Sequence, residues 1–257
     1  MALPLISRRQ ALLALAAAAP ACHSRAEPQK AAHEPENTAA EALQFATGGD
    51  LGEKDRGGTT VVLLHGFGAS ADDLIALARE LARPKTRYIV PAGPIELPNG
   101  GRAWWPMHGR ATYDANQVLK APAEKVTSAR LAVQKLLSTL HEQLAPDALF
   151  LLGFSQGAML ALDVALAASS VDRVAVLSGA LLDETVERIA MPRSRAPAVF
   201  VSHGRKDPVL RFQGAERLVE TLKSSHFSVD FHPFEGGHEI TAQTTADLRA
   251  FLFDSAG

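Results

Sequence analysis

Ala148-Leu149-Phe150-Leu151-Leu152 runs directly into Gly153-Phe154-Ser155-Gln156-Gly157, and the ten residues together decide the fold. The first five are a short, continuous apolar run, the pattern of a strand buried on both faces. A helical stretch follows from about Ser155 to Ala168. Strand, glycine-flanked serine and helix in that order make a sharp, strained turn that pushes a serine hydroxyl out over the end of a sheet. Glycines at 153 and 157 remove side chains that would collide with strand or helix, and Ala158 keeps that packing tight. A G-x-S-x-G match by itself also fits an ordinary strand–helix turn with a capping serine, so the surrounding sequence has to decide.

Outward from this turn, strand and helix patterns alternate. Thr59-Thr60-Val61-Val62-Leu63-Leu64 is a second apolar run, rich in β-branched residues. After it, Ser70 precedes Asp72 and Asp73, and Leu74, Leu77, Ala78 and Leu81 recur at helical spacing, so Ser70 is read as a cap with acids in the first turn. Tyr88–Val90 forms a strand closed by Pro91. Ala123–Leu144 places Val126, Val133, Leu136, Leu137, Leu140 and Leu144 on one face, with Pro146 as terminator. Val174–Leu177, Val199–Val201 and Val229–Phe231 complete the strands, and helices are expected over Ala215–Ser224 and Thr241–Phe253. This alternation predicts an α/β fold with a mostly parallel central sheet and helices on both faces. Ligands in such folds bind beyond the carboxyl ends of the strands.

Three further motifs stand at such ends. His65-Gly66-Phe67-Gly68 follows the 59–64 strand; its glycines let main-chain N–H groups turn inward, and the N–H groups of Phe67 and Gln156 are the expected donors to a developing oxyanion. Ser202-His203-Gly204-Arg205-Lys206-Asp207-Pro208-Val209 follows the 199–201 strand. Asp207 is the best candidate for an acid that orients a histidine, with Asp183 as runner-up; Asp163 and Asp172 read as helix-surface or loop charges. Phe234-Glu235-Gly236-Gly237-His238 follows the final strand, and its paired glycines let His238 fold back over the sheet edge. The chain order Ser155, Asp207, His238 is that of a hydrolytic triad on this kind of sheet, with His238 as base and then acid. His65 stands at the wrong place in that order and is read as a brace for its loop.

On these motifs the chain resembles the phospholipase/carboxylesterase family of α/β-hydrolases, which includes acyl-protein thioesterases and small bacterial carboxylesterases. The resemblance runs from about Val61 to Phe253 and rests on L-H-G-F-G at 64–68, G-F-S-Q-G at 153–157, H-G-R-K-D-P-V at 203–209 and G-G-H at 236–238. It implies an α/β-hydrolase without a large cap domain, no cofactor, a small-molecule ester substrate, and often a homodimer. Hydrolysis of carboxylic esters through an acyl-enzyme on Ser155 is the expected activity, with thioesters and lysophospholipids open to the same machinery. A catalytically silent binding fold and a small serine peptidase are the alternatives. Two departures stand out: many members have glycine where Ala158 stands, and the well-known thioesterases are cytosolic.

The 93–116 segment is long for a connection, which favours a functional loop, and it carries both tryptophans, Trp104 and Trp105. Two readings stand side by side: aromatic lining of a substrate pocket over Ser155, or anchors that hold the loop to the body.

The N-terminus reads differently. Arg8-Arg9-Gln10-Ala11-Leu12, an alanine-rich run to Ala19, and Ala19-Pro20-Ala21 have the layout of an export signal over 1–21, of twin-arginine or ordinary secretory type. That layout predicts a periplasmic, cell-envelope or secreted protein. Cys22, the single cysteine, stands where a lipid anchor would attach or is simply an early residue; alone it permits no internal disulfide. Residues 22–58 read as a flexible tether or an N-terminal edge strand near Leu43–Phe45, leaving 59–257 as the catalytic domain. With 257 residues, 47% hydrophobic content and a formal charge of −2, the chain suits one sizeable core and offers no basic surplus for nucleic acid. His65, His203 and His238 lack metal-ligand spacing, so no metal is expected.

Overall fold

A computed structural model describes residues 43–254, apart from 53, 99, 108 and 110. The export signal at 1–21 and the lipid attachment at Cys22 lie outside the described residues. Within them the chain runs β1 (Phe45–Gly49), β2 (Thr59–Leu64), α1 (Asp72–Glu80), β3 (Thr86–Pro91), β4 (Ile95–Glu96), β5 (Arg102–Ala103), α2 (Ala123–Leu144), β6 (Ala148–Phe154), α3 (Gln156–Ala167), β7 (Arg173–Leu177), α4 (Asp183–Ala190), β8 (Ala198–Gly204), α5 (Phe212–Ser224), β9 (Val229–Phe234) and α6 (Ala242–Phe253).

Seven strands form one sheet in the order β1-β3-β2-β6-β7-β8-β9; β4 and β5 make a separate small hairpin. All pairings in the large sheet are parallel except β1 with β3, where Phe45 faces Pro91 and Gly49 faces Arg87. The period of two along β2 distributes its side chains between two cores. Val62 and Leu64 join a cluster with α2, α3, α4 and α5, while Val61 and Leu63 join one with α1 and α6. Both faces are therefore covered, and each residue of Val61–Leu64 is fully buried. The architecture is an α/β-hydrolase fold, with no large cap among the described residues.

Strand order places the site. From β2 the chain moves to one side to make β3, then crosses back to make β6 on the other side of β2. Strand direction of travel thus reverses between β2 and β6, and a crevice opens beyond their carboxyl ends. Leu64, the last residue of β2, sits opposite Gly153 of β6, so the 65–68 loop and the 153–157 turn face one another there.

Several local expectations change. The start of α1 is not capped by the Ser70 hydroxyl; Asp73 Oδ2 instead reaches back to accept from the Ser70 N–H at 2.6 Å and from its hydroxyl at 3.2 Å. Helix α2 ends before Pro146 because Ala145 turns left-handed (φ 41°) and donates its N–H to His141 O. Helix α6 is capped by Thr241, its Oγ1 accepting from the Thr244 N–H at 3.0 Å. Helix α4, eight residues long, is an element that the expected strands and helices did not include.

Asp163, read as a surface charge, is fully buried. It meets Arg188 Nε at 2.6 Å, Arg130 Nε at 3.2 Å and the Thr185 hydroxyl at 3.2 Å. The reason is position: α2 and α4 both pack on α3, so a carboxylate on its flank has protein in place of water and needs cationic partners.

Candidate active site

The turn after β6 has the geometry its sequence demands. Ser155 has φ 55° and ψ −117°, a conformation that costs a non-glycine residue of order 1–3 kcal/mol. A Cβ on Gly157 would lie 2.1 Å from Leu64 O, and one on Gly153 would lie 2.1 Å from Gly157 O. Both positions must be glycine if β2, β6 and α3 are to meet this closely. On the facing loop, a Cβ on Gly66 would come within 3.3 Å of Ser155 Cβ, so the His65–Gly68 segment lies directly against the serine.

Asp207 and His238 are brought together from the ends of β8 and β9. His238 Nδ1 lies 2.7 Å from Asp207 Oδ2, and the imidazole packs on the ring of Phe154, centroids 4.8 Å apart. The histidine thus lies beside the residue preceding Ser155. Among the described residues the Ser155 hydroxyl makes no hydrogen bond. Asp183, the runner-up acid, is exposed in the first turn of α4.

A second histidine serves Asp207, and the sequence reading did not find it. His203 is fully buried, with Nε2 at 3.2 Å from Asp207 Oδ2 and 3.0 Å from Leu210 O. Both neighbours are acceptors, so Nε2 carries the proton. Asp207 Oδ1 accepts from the N–H groups of Val209 (2.7 Å) and Leu210 (2.8 Å). Burial alone would push the Asp207 carboxyl up. The hydrogen bonds from His203 and His238, the His238 charge and the Leu210 N–H outweigh it and hold the group well below the ordinary carboxylate range.

Trp104 and Trp105 are each only 1% exposed, which corrects their reading as pocket lining: neither presents aromatic surface to a substrate. They anchor the loop. Trp104 donates its N–H to Gln156 Oε1 and its indole N–H to His65 O, both at 2.9 Å, while Gln156 Nε2 donates to Trp105 O at 2.9 Å. The Trp104 ring is drawn inside because its main-chain and indole N–H groups both find partners there. The exposed large apolar side chains near the site are instead Phe67 (41%), on the 65–68 loop, and Val209 (51%), on the loop after β8.

The sequence profile of the Phospholipase/Carboxylesterase family matches residues 52–255, and the chain belongs to that family. It is 28% identical to acyl-protein thioesterase 1 of Kluyveromyces lactis, over 75% of this chain and 90% of that protein. Among solved structures, esterase PE8 superposes with a TM-score of 0.70 at 25% identity, over 83% of this chain and 99% of that one. Acyl-protein thioesterase 2 of Zea mays shares the fold, with a TM-score of 0.64 at 22% identity over 82% and 98%. The chain is a carboxylic ester hydrolase of the serine type. One expectation is overturned: the thioesterases among these relatives are eukaryotic, cytosolic and not exported, so the exported, envelope placement is withdrawn.

Proposed function

We propose that Ser155 is the nucleophile of this hydrolase, His238 its general base and acid, and Asp207 the carboxylate that orients the imidazole. The observation that carries the reading is the 2.7 Å Asp207–His238 contact, with the ring seated on the neighbour of a strained serine. Ser155 Oγ adds to the carbonyl carbon of the substrate while its proton passes to His238 Nε2. The N–H groups of Phe67 and Gln156 receive the oxyanion. The tetrahedral adduct then expels the alcohol or thiol, which takes the proton from His238. Water, activated by the same imidazole, frees the acid from the acyl-serine.

The exposed side chains of Phe67 and Val209 belong to the loops that carry an oxyanion donor and the acid, and they favour substrates with an apolar acyl group. Thioesters are included on the strength of the thioesterase relatives. The purified full chain is expected to hydrolyse p-nitrophenyl butyrate and butyryl thiocholine and to be labelled by a fluorophosphonate. Ser155→Ala is expected to lose all three properties; turnover retained in that variant would refute the assignment.

A further inference from the structure

The 65–68 loop contains a buried histidine that the catalytic assignment leaves unused, and its hydrogen bonds define its chemical state. His65 is fully buried. Its Nδ1 lies 2.8 Å from Gly66 O, and its Nε2 lies 2.9 Å from the Gly93 N–H. A carbonyl oxygen can only accept and a main-chain N–H can only donate. The ring must therefore carry its proton on Nδ1 and a lone pair on Nε2, which is the neutral imidazole. Burial keeps it so by pushing its pKa below the ordinary 6.5, against opposing contributions from Gly66 O and Asp73. Protonation of Nε2 would set two hydrogens against each other at Gly93.

Gly66 C=O and Phe67 N–H belong to one peptide unit. That unit is planar and trans, the structure having no cis peptide among the described residues, so the carbonyl and the N–H point in opposite directions. Whatever holds the Gly66 carbonyl aims the Phe67 N–H; His65 Nδ1–H is the shorter of its two donors, the other being the Ala69 N–H at 3.3 Å. The preceding carbonyl is held as well, since His65 O accepts the Trp104 indole N–H at 2.9 Å. Trp104 also donates its main-chain N–H to Gln156 Oε1, so one residue, through its indole and its backbone, ties the 65–68 loop to the residue that follows Ser155.

We infer that His65 is a positioning residue for the oxyanion site. Its neutral Nδ1–H grips Gly66 O and so sets the direction of the Phe67 N–H, and the Gly93 N–H holds the ring in that tautomer. The inference rests on the assignment of Phe67 as an oxyanion donor. Donation to Gly66 O also polarises the amide and makes its N–H a stronger donor.

Two substitutions separate aiming from packing. Asn at 65 places an amide N–H where Nδ1–H stands and loses the partner of Gly93. Gln places an amide oxygen where Nε2 stands and loses the grip on Gly66. His65→Gln is expected to lower kcat about 10- to 100-fold, below the ceiling for deleting an oxyanion donor outright, with KM changed less than threefold. Its affinity for an aryl trifluoromethyl ketone, whose serine adduct carries the oxyanion, should fall by the same factor. His65→Asn is expected to keep kcat within about threefold at a comparable loss of Tm. A purely structural role would lower Tm in both and kcat in neither, and that result overturns the inference. On the wild-type full chain, ¹⁵N-histidine NMR is expected to show His65 neutral with Nδ1 protonated between pH 6 and 8; the Nε2–H tautomer or a charged ring would equally overturn it. A Ser155→Ala variant that stayed active would instead remove the underlying catalytic assignment, whatever the His65 variants did.

Discussion

The side-chain amide of Gln156 accepts the main-chain N–H of Trp104 at 2.9 Å, across 52 residues of sequence. The same amide donates to Trp105 O, so the residue following the proposed nucleophile grips the 93–119 loop as a neighbouring strand would. Gln156 itself begins α3. Loop and nucleophile turn are thereby one rigid unit.

Gln156→Met keeps the volume and removes both polar contacts, leaving a buried donor and a buried acceptor unmatched. A loss of about 2–4 kcal/mol is expected, read as a lower urea midpoint at unchanged m. A midpoint equal to wild type would show that water or a shifted loop replaces the amide at no cost.

The Ser155 backbone supplies a second test. At φ 55° a glycine relaxes what serine or alanine must hold. Both Ser155→Gly and Ser155→Ala should be inactive, but the glycine variant should be about 1 kcal/mol the more stable, part of the relief being offset by its freer unfolded chain. Thermal unfolding of the pair compares them directly, and equal stabilities would mean that the turn is unstrained.

Asp163 is expected to matter for stability and not for chemistry. Asp163→Asn leaves Arg188 and Arg130 facing an uncharged group, and because both arginines reach partly into water the cost falls at about 2–3 kcal/mol. Among molecules that remain folded, kcat should match wild type. A kcat loss at full stability would place this network in the catalytic machinery.

Asp207 gives a pH prediction with a definite sign. Its carboxyl is held below the ordinary value of 3.8 in the folded protein. Between the folded and unfolded values the unfolded chain binds more protons, so stability rises with pH there. The contribution is complete above the ordinary carboxylate value and is lost as pH falls through the folded one. His203→Leu removes one donor to the carboxylate, so its acid unfolding should begin at higher pH than in wild type. Asp207 stays charged throughout the working range, and the acid limb of the rate profile should therefore survive in His203→Leu. Superimposable acid-unfolding curves would show that His203 does not bear on the carboxylate.

Much of this molecule was readable from contiguous residues. The apolar runs at 59–64 and 148–152 announce buried strands; the helix over Ala123–Leu144 shows in its spacing. The glycines at 153 and 157 declare a turn in which no side chain can intrude, and the atoms they approach, Leu64 O and Gly157 O, explain why. Ser155, Asp207 and His238 stand out because each follows a strand. What misled the reading had the same root: a lone Asp on a helix looks solvated, and paired tryptophans look like pocket wall, until their neighbours in space are known.

Local periodicity and turn chemistry are properties of neighbouring residues, so the amino-acid order by itself determined which segments are strands, which are helices, and which loops lie at strand ends. It could not settle which distant groups meet. The grip of Gln156 on Trp104, the burial of Asp163 between Arg130 and Arg188, and the second histidine on Asp207 follow from strand order and helix packing. Their partners lie as much as 52 residues apart, or, like His203 and Asp207, close in sequence but joined only by the path of a turn. Only the folded chain decides such meetings, because a buried polar group is satisfied by whatever the tertiary structure sets beside it.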